Sequence, residues 1–349
     1  MQLSERHPAG LFPEEIEAFL SEAGEPAYRA RQIFTWLHRQ AVPSFSEMTN
    51  LPRQLIERLE ERFQSPWPLE LVTSRTSADG TEKYLFALSA GGSIETVLLP
   101  EEERDTVCIS TQVGCAMNCS FCATGRSGFQ RDLSAAEIVS QVLFVQRRLK
   151  AEDRQLTNIV YMGMGEPLAN YAAVLRSVRL INHPLGMNLG ARRITISTCG
   201  LAPRIRDLAD EDLQVNLAVS LHAATDPERS AIMPIGRVYP LAELLAACDY
   251  YTARTHRRIS YEYALIDSLN DGPEQAERLG NLLKGRLCHV NLIPINPVGE
   301  ETRPSAKRIA EFARALERTG IPVSIRRERG TDIEAACGQL RQRTLEGCR

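Results

Sequence analysis

The chain has 349 residues, 43% of them hydrophobic and 24% charged, with a formal net charge of −3. That is the make-up of a globular protein with room for a large domain, a small one and a well-buried core. No apolar run is long enough to cross a bilayer as a helix, and the charge balance does not advertise nucleic-acid binding.

The N-terminus carries acidic residues and no basic-then-apolar signal, so the cytoplasm is the expected address, without membrane attachment. Residues 1–65 read as helices. Pro13 opens "PEEIEAFLSEAG" and Gly24 stops it, and "PAYRARQIFTWLHRQ" and "LPRQLIERLEERF" follow with apolar residues at helical spacing. Phe34, Trp36 and Leu37 are the expected core of this bundle, whose surface is a possible RNA contact. "QSPWPLEL", with two prolines, marks a boundary. Three strand-like runs separated by "ADG" and "GG" then predict an antiparallel extension over 66–104.

From residue 105 strands alternate with helices: "DTVCISTQV", "LTNIVYM", "RRITIST", "LQVNLAVSL", "RISYEYALI" and "CHVNLIPI" read as strands. Ser134 and Glu137 predict a capping box at the head of the first long helix. A helix over 303–319, a stop at Gly320 and the short run "VSIRR" close the series. The expected class is therefore α/β, a partial (βα)6 barrel over 105–327, followed by a C-terminal segment, 328–349. "GCAMNC", "GMGEPL", "STCG", "SLHA" and "NPVG" each fall at or after the C-terminal end of a strand, the face where ligands collect in parallel α/β folds.

Nine cysteines without the spacing of a small secreted disulfide scaffold suggest ligands, catalysts or buried small side chains. Cys115, Cys119 and Cys122 form a C-x3-C-x2-C run. Three readings suit it: a zinc site completed by a distant ligand such as Cys108, Cys199 or His222, a four-thiolate cluster, or an iron–sulfur cluster left open at one iron. The arginine groups Arg192–Arg193, Arg254 with Arg257–Arg258, and Arg326–Arg327 with Arg329 read as solvated surface and neither prove nor exclude an RNA partner.

The cysteine spacing, on a loop after the first strand of a partial barrel, resembles the radical S-adenosylmethionine (SAM) superfamily. The resemblance implies that Cys115, Cys119 and Cys122 hold a 4Fe–4S cluster whose remaining iron binds SAM. Gly165 and Glu166 in "GMGEP", Ser197 in "STCG", Ser220, Leu221 and His222 in "SLHA", and Asn296 in "NLIPIN" would then contact SAM, with Glu166 accepting from its ammonium group. Taken singly, each polar residue is more often a satisfied loop or cap residue, and it is their convergence that favours a site.

"GFQRDL", "RGTDIEAACGQL" and "IETVLLP" narrow the likeness: with the motifs above, the chain resembles the RlmN/Cfr family of RNA methyltransferases over nearly its whole length. The resemblance implies methylation at carbon 2 of an adenosine in 23S rRNA and of the adenosine 3′ to the anticodon in some tRNAs, with two SAM per turnover. Cys337 would carry the methyl group, Glu95 would remove the ring proton, and Cys108 would release the RNA through a transient disulfide. A flavodoxin- or ferredoxin-type electron donor and a monomeric enzyme are expected. Methylation at carbon 8 is the nearest alternative, and a non-catalytic zinc-stabilised RNA-binding protein a remote one. Without the resemblance, Cys337 and Cys108 read as buried small side chains and Glu95 as the wet face of a strand; Cys199, Cys248, Cys288 and Cys348 keep the buried reading.

Overall fold

The computed structural model describes residues 7–22, 24–298 and 301–340. The chain opens with helices α1 (Pro13–Glu22), α2 (Tyr28–Thr35) and α3 (Arg53–Phe63). Phe34 and Leu37 are fully buried as expected. Trp36 is only partly covered, because its indole N–H reaches out to Asn50 Oδ1 at 2.6 Å. The helix predicted through Gln40 widens into a π turn over Trp36–Gln40 and ends at Ala41, which has a left-handed conformation. This helical region is docked on the barrel: Arg39 donates to the Pro184 and Gly186 carbonyls, and Arg176 to the Gly10 carbonyl.

Strands β1 (Leu69–Thr76), β2 (Glu82–Leu88) and β3 (Ser93–Pro100) form the predicted meander. The meander does not stand apart, since β3 pairs antiparallel with β4 (Asp105–Cys108), setting Val97 opposite Cys108. The long strand expected from residue 105 breaks after Cys108, where Ser110 turns its N–H and carbonyl to the buried Gln141 side chain. The chain resumes as β5 (Gln112–Gly114), which pairs with β6 (Phe129–Asp132) in a separate two-stranded sheet. Between them lie the cysteine loop and the short α4 (Ala123–Arg126). Gly114 has φ +75°, and a Cβ there would sit 1.8 Å from the Gly128 carbonyl oxygen, so only glycine closes the base of this loop.

Then α5 (Ala135–Lys150) begins with the predicted capping box, Ser134 and Glu137 bonding each other's backbone N–H. Strands β7 (Asn158–Tyr161), β8 (Ile194–Thr198), β9 (Asn216–Ser220), β10 (Ile259–Leu265), β11 (Cys288–Pro294) and β12 (Val323–Ile325) run parallel to β4. Helices α6 (Tyr171–Asn182), α7 (Ala202–Asp210), α8 (Asp226–Ile232), α9 (Leu241–Thr255), α10 (Pro273–Leu283) and α11 (Ala306–Glu317) connect them. The sheet order is β1-β2-β3-β4-β7-β8-β9-β10-β11-β12, with β1 and β12 as open edges. This is a partial α/β barrel of six βα units, with β12 as a short further strand and the meander prolonging the sheet on the other side. Apolar residues such as Ile159, Ile196, Leu217 and Val290 are fully buried, as parallel strands covered by helices require. Cys248 and Cys288 are buried as expected, and Cys348 lies outside the described residues.

Candidate functional site

The loops at the C-terminal ends of the parallel strands surround a chamber of about 180 Å³. Cys115, Cys119 and Cys122 form one wall. Their loop is anchored at both ends: the Cys115 N–H donates to the Gly128 carbonyl (2.9 Å) and the Ser120 N–H to the Ile232 carbonyl (3.0 Å). Burial pushes the Cys115 thiol up to about 12 and the Cys119 thiol higher still. Neutral thiols buried among apolar side chains become ligands when a metal displaces their protons.

The facing walls hold most of the residues expected to contact SAM: Gly165, Glu166, Ser197, Ser220, His222 and Asn296. Glu166 is buried, and its oxygens accept the N–H groups of Leu168 (2.9 Å) and Cys199 (2.7 Å). Burial raises its carboxyl above the ordinary range, and those two donors oppose the rise. His222 Nδ1 accepts the Ala264 N–H at 2.8 Å, which puts the imidazole proton on Nε2. Burial lowers its pKa to about 3, so the ring is neutral, and it meets Phe121 edge-on at 4.8 Å. Leu221 is not brought to the chamber: its side chain is fully buried in the core and its N–H is bound by the Glu262 carbonyl.

Gly165 lies where the loop after β7 crosses β5, with φ +100°. The Glu166 N–H donates to Gln112 Oε1 at 2.8 Å, so the approach of backbone to Gln112 fixes the carboxylate. "GMGEP" is thus a close-packed crossing rather than a dinucleotide fingerprint.

A second cavity, a cleft of about 1070 Å³, runs along the inner face of the sheet. Cys108 and Val97 line it, as do Asn158, Thr195, Ser260 and His289 nearer the N-terminal ends of their strands. Met162, Glu262, Ile293, Asn296, Arg326 and Cys337 line both cavities. Cys337 therefore stands at the junction between the three-cysteine chamber and the larger cleft.

The C-terminal segment that carries Cys337 is tied down along its length. Asp332 accepts from Ser77 Oγ (2.5 Å) and the Ala78 N–H (3.2 Å). Beyond Cys337, the Ala123 N–H donates to the Gly338 carbonyl (2.7 Å) and Thr124 Oγ1 to the Leu340 carbonyl (2.5 Å), so the segment is fastened to the start of α4, directly after Cys122. Asn296 Nδ2 donates to the Cys337 carbonyl at 3.4 Å. Cys108 is 6% exposed on β4 and has its thiol pushed up to about 12, by burial first and by Cys337 second.

Glu95 is 1% exposed, which overturns its reading as the wet face of a strand. Its carboxylate pairs with Lys83 Nζ at 3.2 Å, and the same ammonium donates to the Glu334 carbonyl at 2.9 Å. On β3 it shares a face with Val97 and Leu99, which line the large cleft, although Glu95 itself lines neither cavity. Lys83 and Arg326 were missed by sequence reasoning. Lys83 carried no signal, and Arg326 looked like one of a surface group, whereas only its neighbour Arg327 is exposed. Arg326 is held in its charged form first by Cys337, then by Glu262 and Cys108, against the effect of burial.

The residues present fit an iron–sulfur cluster with an open iron. Among the described residues no three thiol, imidazole or carboxylate groups close on a single metal ion, but Cys115, Cys119 and Cys122 line one chamber with carboxylate, hydroxyl and imidazole groups, the donor set that a multi-iron cluster with a polar co-ligand takes. Of the further ligands considered for zinc, Cys199 and His222 line this chamber, while Cys108 faces the other cleft.

Comparison with known proteins agrees with this geometry. The Radical SAM superfamily profile matches residues 109–280, and the profile of the ribosomal RNA large subunit methyltransferase N-terminal domain matches residues 9–64. The chain is 48% identical over 330 residues to "Probable dual-specificity RNA methyltransferase RlmN" of Geobacillus kaustophilus, covering 94% of this chain and 90% of that one. It is 50% identical over 343 residues to the protein of the same name from Heliobacterium modesticaldum, covering 95% and 88%. Among solved structures, a radical SAM methyltransferase from Sphaerobacter thermophilus superposes with a TM-score of 0.93 at 51% identity, covering 95% of this chain and 98% of that one.

Proposed function

The chain belongs to the RlmN family of radical SAM RNA methyltransferases, and on that premise we propose that it methylates carbon 2 of adenosine in 23S rRNA and in tRNA. The observation that carries this reading is the position of Cys337, between the three-cysteine chamber and a cleft large enough for an unstacked base. Cys115, Cys119 and Cys122 would hold the cluster, and Gly165, Glu166, Ser197, Ser220, His222 and Asn296 would hold SAM. A 4Fe–4S cluster and SAM together supply an electron and a 5′-deoxyadenosyl radical, which an electron-poor ring carbon requires because it cannot attack a methyl sulfonium itself.

Cys337 Sγ acts first as a nucleophile: as the thiolate it takes the methyl group of one SAM, forming its S–CH3 bond as the sulfonium bond breaks. A second SAM is consumed in activating that methyl, which makes two per turnover. Once the activated carbon is bonded to the adenine ring, the adduct would give back the one electron that had been supplied for cleaving the second SAM, and Glu95, on the cleft-lining face of β3, would accept the ring proton as its carboxylate turns from Lys83 towards the cleft. Cys108 Sγ then attacks Cys337 Sγ, so that an S–S bond forms, the bond from sulfur to carbon breaks, and protonation leaves a methyl group on the RNA. The Cys108 thiol, pushed up to about 12, has to lose its proton in that step. The disulfide is reduced by an external thiol before the next cycle.

The proposal extends to a monomer working in the cytoplasm with a flavodoxin- or ferredoxin-type donor. Among the described residues no helix is long and apolar enough to cross a membrane. The decisive experiment is anaerobic reconstitution with SAM, reductant and either a 23S rRNA fragment or tRNA, followed by mass spectrometry of the nucleosides. Wild type should yield 2-methyladenosine, Cys337→Ala none, and Cys108→Ala RNA left attached to Cys337 through the transferred carbon. Full methylation by Cys337→Ala would refute the reading, and 8-methyladenosine as product would refute its choice of ring position.

A further inference from the structure

Arg229, on α8, is 0% exposed. Its Nη2 donates to the Cys199 carbonyl at 2.6 Å and its Nη1 to the Tyr239 carbonyl at 3.3 Å, while Nε has no hydrogen-bond partner. Among the described residues it forms no ion pair. Asp226, one turn earlier on the same helix, acts on it through space without pairing with it, and accepts the Leu241 N–H. A permanently charged guanidinium removed from water is costly unless an opposite charge offsets it, and two neutral carbonyls with one unpaired carboxylate do so only in part, so that burial still outweighs them.

The place of Arg229 suggests what the opposite charge is. Its helix is the support of the cysteine loop, since the Ile232 carbonyl accepts the Ser120 N–H. Cys119 packs with Cys199, Ile232 and Met233 in one buried cluster, and Met233 lines the chamber while Arg229 does not. The guanidinium therefore sits one layer behind the chamber wall, out of reach of a ligand inside it.

We propose that Arg229 is the buried counter-charge of the iron–sulfur cluster and raises its reduction potential without touching it. Three thiolates on a 4Fe–4S core make a net anion, and taking up one electron adds a further negative charge. A fixed cation nearby, with little water to screen it, stabilises the reduced form more than the oxidised form. Arg229 is thus a positioning charge, and the inference rests on Cys115, Cys119 and Cys122 being the cluster ligands.

The test compares Arg229→Lys, which keeps the charge, with Arg229→Gln, which keeps hydrogen-bonding capacity without charge, in the full-length reconstituted protein. Redox titration followed by EPR should leave the midpoint of Arg229→Lys near wild type. Arg229→Gln should lose about tenfold in the reduction equilibrium, a shift of about 59 mV to more negative potential for one electron. Melting each protein with and without its cluster gives an independent readout: loading should raise the melting temperature less in Arg229→Gln than in Arg229→Lys. Uptake of the cluster by the lysine variant alone would likewise follow the charge and support the proposal. Equal midpoints in all three proteins, or equal disturbance of both variants including loss of the cluster from both, would overturn it. A wild-type chain that takes up no cluster would instead refute the assignment of the three cysteines.

Discussion

Replacing Gly165 by alanine tests whether the crossing of the "GMGEP" loop over β5 holds Glu166 in place. At φ +100° an L side chain is strained by about 1–3 kcal/mol. The new Cβ would lie 2.5 Å from Gln112 Cβ and 2.8 Å from the Gln112 backbone nitrogen. Gln112 cannot swing aside, because Nε2 donates to Asp132 at 2.7 Å and Oε1 accepts the Glu166 N–H. Relieving the overlap by backbone movement adds about 1–3 kcal/mol, for a total of about 2–6 kcal/mol out of a typical domain stability of about 5–15 kcal/mol. Urea unfolding of the unloaded protein reads the loss as a lower midpoint. With Glu166 as the proposed SAM contact, calorimetry of SAM binding to the loaded protein should read its displacement as at least about a tenfold weaker complex, equivalent to about 1.4 kcal/mol. Gly190→Ala is the control, since Gly190 has φ −59° and nothing lies within 4 Å of its added Cβ. If Gly165→Ala unfolds at the same urea concentration as Gly190→Ala and binds SAM as wild type does, the steric account is wrong.

His38 provides a pH-dependent prediction. Burial lowers its pKa from the ordinary 6.5 to about 3, and both ring nitrogens lack hydrogen-bond partners. The unfolded chain therefore binds more protons below pH 6.5, so the folded state loses about 1.4 kcal/mol per pH unit on this account as pH falls towards 3. His38→Phe, stacking on Phe34 where the imidazole now lies at 4.2 Å, should flatten the acid limb of a stability–pH curve without loss at neutral pH; an unchanged slope would count against it. Asp332→Ala should loosen the segment that presents Cys337, lowering the RNA-methylation rate by on the order of tenfold to a hundredfold while SAM binding is unchanged. Unaltered turnover, with no new protease cleavage near residue 332, would show that Asp332 is not the anchor.

The features legible in the sequence were those with a local cause. Alternating strands and helices, the capping box at Ser134 and Glu137, and the placing of unusual loops at strand ends all follow from spacing within a few residues. The buried environment of Glu95 was not legible, because it depends on Lys83 across a strand pair and on Glu334 from the far end of the chain. Arg229 and Arg326 were hidden for a related reason. Arginine is normally exposed, and only the assembled barrel places one behind the cysteine loop and the other between two cavities. The break between β4 and β5 was concealed by an unbroken run of strand-forming residues, and the demands of the Gln141 side chain override that preference.

The bond from Thr124 to the Leu340 carbonyl spans 216 positions of sequence. During synthesis the barrel and its cysteine loop are made before the strip bearing Cys337. Closing so long a loop is slow compared with forming neighbouring contacts. A new molecule is therefore expected to pass through an interval in which the chamber lined by the three cysteines has formed but the strip has not yet closed over it. Under the roles proposed for the three cysteines and Cys337, the order in which the chain is made is then also an order of maturation: metal first, methyl carrier second.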